Sequence, residues 1–158
     1  MLGSQPRDLT PMKLFSKILV PIDFGEPSAR ALEIAGALAK DTGGTITLLH
    51  VFDVPASYAG MGISPVELLA PMWEAGKKQL EDTLSKLKAT VPDATEEIAR
   101  GVPWREILAA IERDRPDLVV MGTHGRRGVQ RMLLGSVAEK IVRVSPVPVL
   151  TVPAGDDE

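Results

Sequence analysis

The sequence predicts an α/β protein: a single doubly wound domain with a five-stranded parallel sheet and helices on both faces. Three observations predict it. Five short apolar runs alternate with longer amphipathic stretches. The stretches are long enough to be helical crossovers, which imply parallel strands covered on both sides. The fourth run, Asp117-Leu-Val-Val-Met121, is nearly all apolar, as a strand buried on both faces should be. The 158 residues suit one core, and no internal repeat or low-complexity linker divides them.

The first strand is read in Lys17-Ile-Leu-Val-Pro-Ile-Asp23. Pro27 then stands at the start of a helix, and Ala31, Ile34, Ala35 and Leu38 fall on one face of it. Gly43-Gly44 ends that helix, and Thr45 to Val51 is the second strand. Asp53 to Ile63 is looser, with glycines and small residues. Ser64-Pro-Val-Glu67 combines a capping box with a first-turn proline, and Leu80, Leu84, Leu87 and Val91 continue the helix it opens. Asp93 to Arg100 is the third strand, and its glutamates suit an edge or a partly exposed position. Pro103 opens the next helix, with Ile107, Leu108 and Ile111 on its apolar side, and Pro116 stops it after Arg115. Leu134, Val137, Ala138 and Ile141 form the last helical face, before a final strand at Val147 to Val152. Residues 1–14 read as a disordered lead-in, 15–154 as the domain and 155–158 as a flexible tail.

Composition narrows the chemistry. Hydrophobic residues make up 44% and charged residues 25%, an ordinary globular balance. The net charge of -3 argues against nucleic acid or an anionic membrane as partner. Aromatics are 4%, too few for stacking platforms on single strands. There is no cysteine, which excludes disulfides, thiolate metal sites and cysteine nucleophiles. Only His50 and His124 are present, so a multi-histidine cage within one chain is excluded as well. No apolar run reaches the length of a bilayer span and no secretory signal opens the chain. The default location is therefore cytoplasmic.

In doubly wound sheets, ligands bind beyond the carboxyl ends of the strands, where strand order reverses. Asp23, Phe24 and Gly25 follow the first strand. Gly122-Thr-His-Gly125-Arg-Arg-Gly128 follows the fourth, and Gly135-Ser136 opens the last helix. Neither a P-loop nor a first-strand G-x-G-x-x-G is present. Glycines after the fourth strand let backbone amides approach a phosphate, and the helix near Ser136 offers unpaired N–H groups. Arg126 and Arg127 add positive charge.

Plainer readings exist for the same residues. Gly122 to Gly128 also suits a simple loop, and Ser136 with Glu139 also spells a capping box. Asp23 suits a cap of the helix after it. His124 suits a loop residue, His50 a strand end, and Met61, Met72 and Met132 packing positions. Arg126, Arg127 and Arg131 also suit a solvated patch.

The spacing Gly122-x2-Gly125-x9-Gly135-Ser136 resembles the nucleotide-binding signature of the universal stress protein family, in its ATP-binding subgroup. Ile18 to Asp23, Leu48 to Val51, Asp117 to Gly125, Leu134 to Glu139 and Pro146 to Val152 resemble that family's blocks, in order and in matching elements. The likeness spans about Lys17 to Pro153. It implies a five-stranded, Rossmann-like sheet, usually in homodimers, with ATP as ligand. By that resemblance Asp23 lies near the ribose and the metal–phosphate region. Val51 meets adenine through its backbone, and Pro21 and Met121 line the base pocket. Gly122, Gly125, Gly135, Ser136 and Val137 hold ribose and phosphates, with Arg126 and Arg127 in a stretch that varies among relatives.

The expected function is ATP binding, with Mg²⁺ carried by the phosphates and Asp23 as its one protein contact, in stress response or signalling. No catalytic residue is assigned, and hydrolysis is expected to be slow at most. The alternative is a nucleotide-independent dimeric interaction protein of the same fold. A flavoprotein-like subunit or an ATP pyrophosphatase is disfavoured, because the short chain leaves no room for a substrate domain. Val147 to Val152 reads as an exposed edge strand suited to pairing with a second copy.

Overall fold

A computed structural model describes residues 14–62, 64–124 and 134–155. The expected lead-in and tail lie almost entirely outside the described residues, as do Ile63, Gly125, Arg126, Arg127, Gly128, Arg131 and Met132.

The elements run β1 (Lys17–Pro21), α1 (Glu26–Thr42), β2 (Thr45–Phe52), a 3-10 turn (Ala56–Gly60), α2 (Pro65–Leu87), β3 (Thr95–Arg100), α3 (Pro103–Asp114), β4 (Leu118–Gly122), α4 (Ser136–Val144) and β5 (Val149–Val152). The sheet is parallel throughout, in the order β3-β2-β1-β4-β5. The chain first winds outward from β1 to β3, then crosses back to β4 on the other side of β1. The reversal therefore lies between the carboxyl ends of β1 and β4.

Period-two alternation splits the core between the two faces of the sheet. Ile18 and Val20 of β1 point under α1 and α2, joining Leu48, Leu80 and Val120. Leu19, between them, points the other way, with Leu49, Ile107, Val119 and Ile141 under α3 and α4. These side chains are almost fully buried, and each such burial is worth roughly 1.5–3 kcal/mol. A polar clasp joins the starts of β1 and β4. Asp117 accepts hydrogen bonds from the Ser16 amide (2.9 Å), the Ser16 hydroxyl (2.9 Å) and the Lys17 amide (3.0 Å).

Several boundaries differ from expectation. β1 ends at Pro21, and Asp23 belongs to the turn after it. Ser64 is the N-cap of α2, but its side chain makes no capping bond. Its carbonyl instead receives the Glu67 amide, so the expected capping box is absent. α2 stops at Leu87, and Val91 is drawn into the core from the turn that follows. Burial, not helical phase, explains that apolar position. Leu134 precedes α4 yet packs against the same cluster as Val137. β5 begins at Val149, because Pro148 offers only its carbonyl, which receives the Val119 amide (2.9 Å). β3 and β5 are the edges of the sheet, as their composition suggested.

Candidate nucleotide site

A cleft of about 400 Å³ opens where the strand order reverses. Its volume lies within the range of small-molecule sites. Pro21 and Asp23 line it from the end of β1, and Leu49 and Val51 from β2. Met121, Gly122, Thr123 and His124 come from β4 and the residues after it, and Gly135, Ser136 and Val137 from the start of α4. The described residues that the sequence assigns to the ligand thus meet in one place: Pro21, Asp23, Val51, Met121, Gly122, Gly135, Ser136 and Val137. Gly125, Arg126 and Arg127 fall outside the described residues.

The two sides of the cleft differ in chemistry. Pro21, Leu49, Val51, Ile107 and Met121 form an apolar wall. Opposite stands the amino end of α4. Gly135 is its N-cap, with extended backbone (φ -70°, ψ 163°), and has no side chain with which to cap the helix. Ser136 is therefore the first helical residue, and the capping-box reading of Ser136 with Glu139 does not hold. A helix start presents N–H groups that have no partner within the helix, at the positive end of its dipole. The Gly135 amide donates to the Thr123 carbonyl, which draws this helix end against β4. Thr123 is itself tied to the edge strand, through its amide to the Val152 carbonyl (2.9 Å). Its hydroxyl lies 2.9 Å from His124 Nδ1.

Asp23 is held in a tight turn. The Gly25 amide donates to its Oδ1 (2.8 Å), a side-chain turn typical of aspartate. Gly25, not Asp23, is the N-cap of α1. Ser28, in the first turn of α1, also reaches Asp23 Oδ1 (2.8 Å). Phe24 takes a left-handed backbone (φ 62°), uncommon for a bulky residue. Its ring rests 4.6 Å from the His50 ring, centroid to centroid. His50 Nδ1–H donates to the Ile22 carbonyl (2.9 Å), so this histidine braces the turn from the second strand.

Gly122 has a structural reason that the sequence reading did not contain. A Cβ there would lie 2.7 Å from Pro27 Cβ, 2.8 Å from the Pro27 carbonyl carbon and 2.9 Å from the Ser28 amide nitrogen. The missing side chain lets the first turn of α1 lie against β4. The notion that this glycine only makes room for a ligand is therefore incomplete.

Ser28, Thr123, Leu49 and Ile107 also line the cleft without having been singled out. For Ser28 a signal existed: it stands five residues after Asp23, one place beyond a helix-opening proline. A larger depression, about 800 Å³, lies between α1 and α2. It shares Ile22 and Ser28 with the cleft but includes neither Asp23 nor the α4 terminus, so volume alone does not select the site. Among the described residues no group of three or more His, Cys, Asp or Glu could hold a metal. A resident metal has no cage there, whereas a magnesium ion carried by phosphates needs only one or two protein oxygens. Asp23 fits that limited role.

The sequence model of the Universal stress protein family matches residues 14–153. Universal stress protein MJ0531 of Methanocaldococcus jannaschii is 33% identical over 143 residues, covering 88% of this chain and 82% of its own. A solved structure of protein MJ0577 from the same organism aligns with a TM-score of 0.81 at 29% identity, over 91% of this chain and 99% of that one. A universal stress protein family protein from Arabidopsis thaliana, solved with AMP bound, aligns with a TM-score of 0.63 at 23% identity, over 90% and 94%. That last likeness is one of fold.

Proposed function

The chain belongs to the universal stress protein family, and from that premise we propose that it binds ATP with magnesium in the cleft between β1 and β4. The observation that carries the reading is the meeting of three features in one cleft. An apolar wall lies at Val51 and Met121, a held carboxylate at Asp23, and a helix start with glycine as its N-cap at Gly135–Ser136. Adenine is assigned to the wall. The phosphates are assigned to the first amides of α4, where charge and hydrogen-bond direction both favour an anion. Asp23 is assigned to the ribose and the magnesium-bearing end of the triphosphate. Magnesium, when bound, neutralises phosphate charge and keeps most of its water. The AMP-bound relative supports a nucleotide in this fold.

Micromolar affinity corresponds to about 8 kcal/mol, within reach of several backbone hydrogen bonds and a buried base. Turnover is expected to be slow, since phosphoryl transfer needs an oriented water and stabilisation of the transferring charge. The nucleotide then acts as a signal in a stress response, in the cytoplasm. A second copy pairs along β5, an edge strand whose Leu150 is 38% exposed. Light scattering giving a dimer mass supports that pairing, and a monomer mass at micromolar concentration refutes it.

Calorimetric titration of nucleotide-stripped protein tests the main reading, with ATP, ADP, AMP and cyclic AMP compared in magnesium. The informative variant is Ser136→Asp. An acidic residue in the first turn favours the helix but repels phosphate, so the fold should persist while binding fails. Absence of heat at millimolar ATP with the wild-type chain sinks the reading and favours a nucleotide-independent interaction protein.

A further inference from the structure

We propose that Ser28 is a positioning residue: its buried hydroxyl sets the orientation in which the Asp23 carboxylate meets the nucleotide. The inference rests on the proposed binding mode and deepens it. Ser28 is only 4% exposed, yet it lines the cleft beside Asp23. Its Oγ touches Asp23 twice, accepting from the Asp23 amide (3.3 Å) and lying 2.8 Å from Asp23 Oδ1. It also lies 3.0 Å from the Gly25 carbonyl oxygen. The hydroxyl has one proton and two candidate acceptors, and the ionised carboxylate is the stronger.

One atom therefore grips both the backbone and the side chain of Asp23. A serine that served only its own helix would direct its hydroxyl to the preceding turn, and Gly25 offers that choice. The shorter contact goes to the carboxylate instead. Helical side chains lean toward the amino end, which is why a residue in the first turn of α1 reaches back to Asp23. The neighbours of Asp23 are fixed independently, because His50 holds the Ile22 carbonyl and seats the Phe24 ring. The Gly25 amide and the Ser28 hydroxyl both hold Oδ1 of the Asp23 side chain, from two directions.

A double-mutant cycle on ATP affinity tests this, using the full chain with magnesium. The four proteins are wild type, Ser28→Ala, Asp23→Ala and the double variant. Ser28→Ala is expected to weaken binding about tenfold, and in the Asp23→Ala background the same change should matter less than about twofold. An equal loss in both backgrounds, or no loss in the first, overturns the proposal. Ser28→Cys supplies a second arm, because it keeps the side-chain shape at a slightly larger size but substitutes a weak donor. It should bind as weakly as Ser28→Ala while melting with the wild type, and wild-type affinity for it also overturns the proposal. A wild-type chain that binds no nucleotide defeats the binding mode and this inference together. Tight wild-type binding with an uncoupled Ser28 defeats only the inference.

Discussion

Replacing Gly122 with alanine adds one methyl group where α1 crosses β4. The new carbon would lie 2.7 Å from Pro27 Cβ, 2.8 Å from the Pro27 carbonyl carbon and 2.9 Å from the Ser28 amide nitrogen. Relaxed carbon contacts sit near 3.5–4.0 Å, so an opening of roughly 1 Å is required. None of the three atoms is the end of a flexible side chain. The strain must move the first turn of α1 or the end of β4. Overpacking of this kind costs about 1–3 kcal/mol, a loss of roughly 2–12 °C in melting temperature for a chain of this size. Because Ser28 rides on the displaced turn and holds Asp23, ATP affinity should fall with stability. Thermal unfolding and calorimetry on the same sample check both effects. If Gly122→Ala melts like the wild type and loses only affinity, the glycine serves ligand access alone and the packing argument is wrong.

Other perturbations separate strong contacts from weak ones. Burial, then the Glu81 carboxylate, push the Glu96 carboxyl above its ordinary value of 4.5, and its buried Oε2 has no hydrogen-bond partner among the described residues. A raised value means that protonated Glu96 favours the fold below pH 4.5 and that this benefit is lost as pH rises through the folded value. Glu96→Gln should therefore be more stable than the wild type at neutral pH, with the gap closing in acid. Denaturant titrations across pH that show a constant gap would contradict it. Asp117→Ala removes three bonds to one carboxylate at the starts of β1 and β4. It should cost about 1.5–3 kcal/mol in chemical denaturation, and a loss below experimental error would deny the clasp its role. Arg113 bridges Glu97 and Asp114 but is 54% exposed. It holds the Asp114 carboxyl below its ordinary value, chiefly through their side-chain hydrogen bond. Arg113→Ala should nevertheless cost under about 1 kcal/mol, because solvent screens the pair, and a larger loss in urea would show that the exposed pair is stronger than argued.

Much of the molecule is readable from residue order, because the signals are local. The short apolar run in Ile18 to Pro21 and helical spacing from Ala31 to Leu38 specify elements whichever partners they later meet. The polar residues after β1 and β4 announced where a ligand cleft would open, since parallel crossovers bring all carboxyl ends to one side. The family resemblance added Pro21, Val51, Met121 and Val137. Other features depend on how the folded elements dock and where they begin. Gly122 is small because Pro27 lies on it, Val91 is apolar because the core reaches into a turn, and Ser136 does not cap its helix because Gly135 already occupies that place. The spacing of Ser28 from Asp23 was a signal in the sequence, but their hydrogen bond depends on the turn at Phe24. Local patterning fixes which element forms. Sheet order and helix docking fix which atoms meet, and those follow from burying all the apolar faces at once.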